Sequence, residues 1–191
     1  MKIRHEMILY HGSYTAVEKI DLDKCREGKD FGKGFYLTSD FSQSRNFIKA
    51  SIKKAQNYGI IPGTRNYGFV SFYKFHWPEN GLKIHEFDTA DKNWLWFVSI
   101  NRRRNLAQIL YPVIDHSLFQ SDIIIGKIAN DTTNPVITTY LNGLYGDILS
   151  DRAISIAIEQ LIPDNLKDQY CFQTEESISC LEFLEARKYV I

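Results

Sequence analysis

Apolar and polar positions change period several times along the chain, and each period predicts an element. Glu6–His11, with the apolar run Met7–Tyr10, predicts a short strand ended by Gly12-Ser13. After a polar stretch to Asp30, Phe31-Gly32-Lys33-Gly34 leads into Phe35–Thr38, four residues of strand propensity. Ser39-Asp40 can cap a helix in which Phe41, Ser44, Phe47, Ile48, Ser51, Ile52 and Ala55 recur at helical spacing to about Asn57. Gly59, Pro62 and Gly63 make residues 58–66 a loop. Tyr67–His76 and Leu82–Phe87 read as strands, and Asp91–Ile100 as a helix whose apolar set is Trp94, Leu95, Phe97 and Val98. Arg102, Arg103 and Arg104 then predict a solvated helix end over the alternative of a nucleic-acid site, because the rest of the chain has no surplus positive charge. Asp122–Ile128 has the continuous aliphatic character of a buried strand, and Asn130–Pro135 is rich in turn formers. Ile137–Leu149 and Asp151–Leu161 predict two helices, Pro163–Lys167 a loop, Gln169–Thr174 a strand and Glu175–Ala186 a final helix. No repeat or linker interrupts this order, so residues 1–191 form a single domain. Strands and helices without a regular βαβ rhythm favour an α+β fold over a doubly wound sheet.

Composition narrows the function. Of 191 residues 44% are hydrophobic, enough for one sizeable core, and 14% are aromatic, which supplies stacking surfaces for a flat ligand. Lys and Arg number 23 and Asp and Glu 23, so no global field draws the chain onto nucleic acid or anionic lipid. Cys25, Cys171 and Cys180 form no CxxC, and the five histidines have no HExxH spacing, so neither a disulfide framework nor a metal site is expected. The apolar run near the start is too short for a signal peptide and no stretch approaches 18 apolar residues, so a cytoplasmic protein without a membrane span is expected.

Two glycine-bearing segments carry candidate chemistry. Tyr10-His11-Gly12-Ser13 sets a ring nitrogen and a hydroxyl beside a residue without a Cβ. Phe31–Tyr36 pairs two glycines with a phenol, yet it lacks the GxxxxGK[ST] spacing of a phosphate loop and the GxGxxG of a dinucleotide fold. Taken singly, each is an ordinary glycine turn beside core aromatics. As an ordered set, YHGS followed by DFGKGFYLTSDFSQSRNF resembles the NAD-binding half of the ADP-ribosyltransferase superfamily, in its poly(ADP-ribose) polymerase-like branch. FDTADKNWLWFVSINR, DIIIGKIAND and DQYCFQTEESISCLEF are similar to the bacterial family DUF3990, regarded as ADP-ribosyltransferase-like and often found in toxin-antitoxin arrangements. The likeness runs from Leu9 to Phe183.

That resemblance implies an α+β fold with an ADP-ribosyltransferase-like split mixed/antiparallel β-sheet core and surrounding helices. It implies NAD+ as co-substrate and no metal. His11, Tyr36 and Gln169 fall on the three catalytic signature positions, and Tyr10, His11, Gly12, Ser13, Gly34, Tyr36, Ser44 and Phe47 on the cofactor-binding set. Gly12 backbone and Ser44 hydroxyl would hold the nicotinamide amide, Tyr36 and Phe47 would flank its ring, and His11 would hold the adenosine ribose. The third position departs from the family's glutamate. Gln169 accepts a hydrogen bond but brings no charge to an oxocarbenium-like transition state, which disfavours polymer elongation. The implied activity is mono-ADP-ribosylation of a protein or nucleic acid by a bacterial toxin or defence effector, with nicotinamide released and a small antitoxin protein as partner. The alternatives are an NAD glycohydrolase or small-molecule ADP-ribosyltransferase, and a catalytically inactive NAD-binding or protein-interaction module.

Overall fold

The computed structural model describes residues 2–105, 107–129, 133–161 and 167–191. Residues 130–132 and 163–166 of the two expected loops lie outside the described residues. The elements run β1 (Ile8–Ser13), β2 (Phe35–Leu37), α1 (Phe41–Asn57), β3 (Tyr67–Phe75), β4 (Ile84–Glu86), α2 (Lys92–Arg102), β5 (Ile123–Lys127), α3 (Thr133–Leu141), α4 (Asp151–Leu161), β6 (Asp168–Phe172), α5 (Glu175–Ser179) and β7 (Leu181–Val190). The fold is α+β with a mixed sheet core. One sheet has the order β1-β3-β7 and is antiparallel; the other has the order β2-β6-β5-β4, with only the β4–β5 pair parallel.

Strand alternation sorts the side chains into layers. Leu9, Tyr73 and Phe75 of the first sheet pack against Phe35, Leu37, Ile123, Ile125, Tyr170 and Phe172 of the second, so the sheets bury one face of each in a shared core. The outer face of the first sheet is covered by α1, whose Ile48, Ile52 and Ala55 meet Val70. Asp40 starts that helix by accepting a hydrogen bond from the Gln43 N–H at 3.1 Å. The outer face of the second sheet presents Ile124 and Cys171 to α2, α3 and α4, where Trp94, Leu95, Phe97, Ile137, Tyr140 and Ala153 fill the larger core.

Two elements differ from expectation. The expected helix Glu175–Ala186 stops at Ser179 behind a capping box made by Thr174 and Ser177, and the chain turns into β7 along β3. The register passes from Tyr73↔Phe183 to Phe72↔Glu185, leaving Leu184 as an extra residue. The half-buried positions Leu181, Phe183, Ala186 and Tyr189 are spaced by two, three and three, the first step of three through the bulge and the second through the passage to the α1 side, where Tyr189 packs, and this imitates a helical period. The expected helix Ile137–Leu149 instead begins by Thr133 and ends at Leu141. Gly143 at φ 71° terminates it, and Leu144 and Leu149, within the expected helix, are exposed. Among the described residues no helix is long and apolar enough to cross a membrane.

The α2–α3 contact contains a polar pair inside the core. Tyr140 Oη accepts a hydrogen bond from Trp96 Nε1 at 2.9 Å and donates to the Ile148 carbonyl. Tyr140→Phe keeps the ring and strands both partners, so an equilibrium urea titration is expected to show a loss of about 1–3 kcal/mol.

Candidate active site

The two sheets meet where β1 and β2 diverge. The Tyr10 N–H donates to Thr38 O at 2.8 Å and the Thr38 N–H donates to Tyr10 O at 3.0 Å, an isolated bridge between them. Backbone groups two residues apart point to the same strand edge, so Gly12 directs its N–H and C=O to the edge that Tyr10 uses for Thr38. The His11 ring lies against β2. Nδ1 lies 2.9 Å from the Tyr36 carbonyl, and the ring sits 4.5 Å from that of Phe35. Because a carbonyl only accepts, Nδ1 carries the proton and Nε2 is left as an acceptor. Burial lowers the His11 pKa from its ordinary 6.5, outweighing the opposing hydrogen bond to Tyr36, and the charge of Lys29 adds to the lowering. The imidazole is therefore neutral at pH 7.

The residues expected around the nicotinamide fall into two groups. Gly12, Ser44 and Phe47 come together because β1 and α1 touch at Gly12. A Cβ there would collide with the Ser44 carbonyl oxygen and reach 3.3 Å from the Phe47 Cβ. Ser44 is fully buried and donates its hydroxyl to Phe41 O at 2.7 Å, whereas the Phe47 ring is exposed. Tyr10 packs edge-on against Phe41 and Phe72, and Ser13 is buried. Gly34 lies against β6, where a Cβ would come within 2.5 Å of Cys171 Sγ.

Tyr36 and Gln169 form the second group. The β2–β6 register pairs Tyr36 with Cys171, and Gln169 is two residues from Cys171, so Tyr36 and Gln169 project from one face of the second sheet. Tyr36 Oη donates to Gly32 O at 2.8 Å and accepts from the Phe31 N–H at 3.0 Å. Burial, reinforced by Cys171 and Asp30, pushes its pKa well up, so the phenol stays protonated. Gln169 Nε2 donates to Asp30 Oδ2 at 2.6 Å and lies 3.4 Å from Lys127 O. One loop, Asp30-Phe31-Gly32, thus holds both signature side chains.

Asp30 and Arg102 escaped sequence reasoning. Arg102, expected as part of a solvated helix end, places Nε and Nη2 at 2.7 and 2.6 Å from Asp30 Oδ1 and also donates to the Ala129 carbonyl. Arg103 and Arg104 are exposed as expected. The available signal was Asp30 ahead of the glycine turn, an acid in a segment bound to fold inward. A third omission is Gln43: its Oε1 contacts Thr38 Oγ1 at 3.2 Å, and its buried Nε2 has no hydrogen-bond partner among the described residues. Thr38 Oγ1 also reaches Asp168 O at 3.2 Å, linking the start of α1 to the start of β6. A concavity of 620 Å³ lies away from these residues, between α1 and the end of β7, and another of 350 Å³ is lined by Phe31 and Gly32 of the loop that holds Tyr36 together with residues 119–121.

The fold and site define a two-sheet α+β domain in which a histidine of one sheet bonds the strand backbone of the other. The chain belongs to the DUF3990 family of proteins of unknown function, which it matches over residues 7–183, and that family lies in the ADP-ribosyltransferase/PARP-like clan. No curated protein and no solved structure matches the chain.

Gly12→Ala must separate α1 from β1. A urea titration is expected to show a loss of about 3 kcal/mol, at the upper end for overpacking because the obstruction is backbone. The lowered His11 pKa also sets a pH dependence. Below pH 6.5 the unfolded chain binds the His11 proton before the folded one does, so stability falls as pH drops from 6.5 through the folded pKa. His85, lowered mainly by burial, acts in the same direction. Thermal unfolding across pH 7.5 to 5 is expected to show this decline, and His11→Gln should flatten it while leaving the His85 share.

Proposed function

We propose that the protein is an NAD-dependent mono-ADP-ribosyltransferase that transfers one ADP-ribose unit to a macromolecule and releases nicotinamide. The observation that carries this reading is the hydrogen bond from His11 Nδ1 to the backbone carbonyl of Tyr36 at 2.9 Å: it brings the strands that carry two signature positions, 25 residues apart, together in a chain of the ADP-ribosyltransferase/PARP-like clan. The free groups there suit NAD. The His11 Nε2 lone pair can accept from an adenosine ribose hydroxyl, the Gly12 edge offers a donor and an acceptor to a carboxamide, and the unpartnered Gln43 Nε2 can donate to the ligand. Tyr36 and Phe47 supply ring faces for nicotinamide.

In the reaction the bond from C1′ of the ribose to the nicotinamide nitrogen breaks, and its electron pair neutralises the pyridinium. A nucleophile of the acceptor bonds to C1′ from the opposite face and gives up its proton. The neutral His11 orients the remote half of NAD, and the protonated Tyr36 holds the ring by its face; neither moves a proton. Gln169 accepts from the reacting ribose without supplying charge, which supports single transfer over polymer growth. The clan link supports a protein or nucleic-acid acceptor, and the family's setting supports a bacterial toxin or defence effector acting in the cytoplasm with a small antitoxin protein.

Incubation with isotopically labelled NAD and cell extract, followed by mass spectrometry, is expected to show nicotinamide release and ADP-ribose on a protein or nucleic acid. Free ADP-ribose alone would make the protein a glycohydrolase, and NAD binding without release an inactive relative. Tyr36→Ala is expected to weaken NAD binding by about 1–3 kcal/mol in calorimetry. His11→Ala should reduce binding and release together; undiminished release at subsaturating NAD would remove His11 from the site.

A further inference from the structure

Asp30 and Gln169 are 4% and 5% exposed. A carboxylate offers about four lone-pair positions, and four donors meet this one: Arg102 Nε and Nη2 on Oδ1, the Ala129 N–H at 2.7 Å and Gln169 Nε2 at 2.6 Å on Oδ2. The acid is fully partnered before any ligand arrives. For Gln169 the consequence is directional. Both atoms facing its Nε2, Asp30 Oδ2 and Lys127 O, can only accept, so a flipped amide would set oxygen against oxygen. Nε2 is held by Asp30 and Lys127, and Oε1, which makes no hydrogen bond to the described residues, is left to accept from a ligand.

We propose that Asp30 is the positioning residue of this site: clamped by Arg102, it fixes the Gln169 amide with its oxygen toward the reacting ribose. This rests on the transferase reading above. It also relocates the missing charge. The carboxylate that a glutamate would carry at position 169 stands one hydrogen bond further in, and the two positions together hold one acid and one amide.

The test exchanges them. Gln169→Glu alone sets two carboxylates at the 2.6 Å contact and is expected to lower the unfolding temperature. Adding Asp30→Asn restores one acid and one amide and should recover most of that loss. In nicotinamide release, Asp30→Asn is expected to lower kcat at least 10-fold with KM changed less than about threefold, the scale of a positioned transition-state hydrogen bond. In a Gln169→Ala background the same substitution should cost nothing further, because a residue that acts through Gln169 has nothing left to position.

Equal losses in both backgrounds, or a Gln169→Glu protein as stable as wild type, would overturn the proposal. So would failure of both Asp30→Asn and the exchanged double variant to fold, which would make Asp30 purely structural. A wild type that releases no nicotinamide overturns the transferase reading, and the catalytic role of Asp30 with it. The unfolding temperatures report separately on the pairing.

Discussion

The buried carboxylate of Asp30 is the contact on which the second half of the molecule depends. It joins the loop before β2, the last turn of α2, the chain leaving β5 and the first residues of β6, segments up to 139 positions apart. An unpaired acid at this depth would cost several kcal/mol, so its partners are a condition of the fold rather than an addition to it. Arg102 suits the task because its planar fork gives two donors to one oxygen and a further hydrogen bond to the Ala129 carbonyl. Its place in the last turn of α2 also sets a cation at the negative end of that helix.

From that anchor the site is assembled outward. With Asp30 fixed, the next two residues are placed, and Phe31 N–H and Gly32 O close on the Tyr36 hydroxyl. Tyr36 in turn sets the carbonyl that selects the His11 tautomer. The first sheet approaches from the opposite side through the Tyr10–Thr38 bridge, and Gly12 lets α1 lie against β1. Gly12 is thus committed to packing on its side-chain side, and its chemistry is confined to the backbone edge.

Most of the fold was legible because its elements have clean periods. The α1 set Ile48, Ile52 and Ala55 and the aliphatic run of β5 fall where pattern and propensity place them. β7 was not legible because a bulge at Leu184 and a change of the half-buried face before Tyr189 break the strand period into spacings of three, and the reward for being a strand comes from β3, more than 100 residues away. For the site, the ordered motifs named His11, Tyr36 and Gln169, while the hydrogen bond from His11 to the Tyr36 carbonyl and the shared face of Tyr36 and Gln169 are visible only in the strand pairing. Asp30 was invisible as a functional residue because its role is defined by Arg102, Ala129 and Gln169, none of them near it in sequence. Arg102 was misread for the same reason, since a basic triplet at a helix end has no local feature that separates a buried cation from its solvated neighbours.

The electrostatics of that cluster bear on why an amide, rather than an acid, suits position 169. Two carboxylates 2.6 Å apart cannot both stay charged, and one cation, Arg102, already has both of its nearer donors on Asp30 Oδ1. A glutamate at position 169 therefore requires either a proton shared with Asp30 or the loss of Asp30, and losing Asp30 leaves the Arg102 guanidinium and the Ala129 N–H without their acceptor. The amide avoids both outcomes. It completes the carboxylate's set of donors and leaves its own oxygen outside that set. In the proposed transferase it would give up direct charge stabilisation of the ribose, because the nearest negative charge would be separated from the reacting atoms by the length of the amide and is already balanced by Arg102. A transferase built this way would lean on orientation more than on field, and its acceptor would have to arrive as a competent nucleophile.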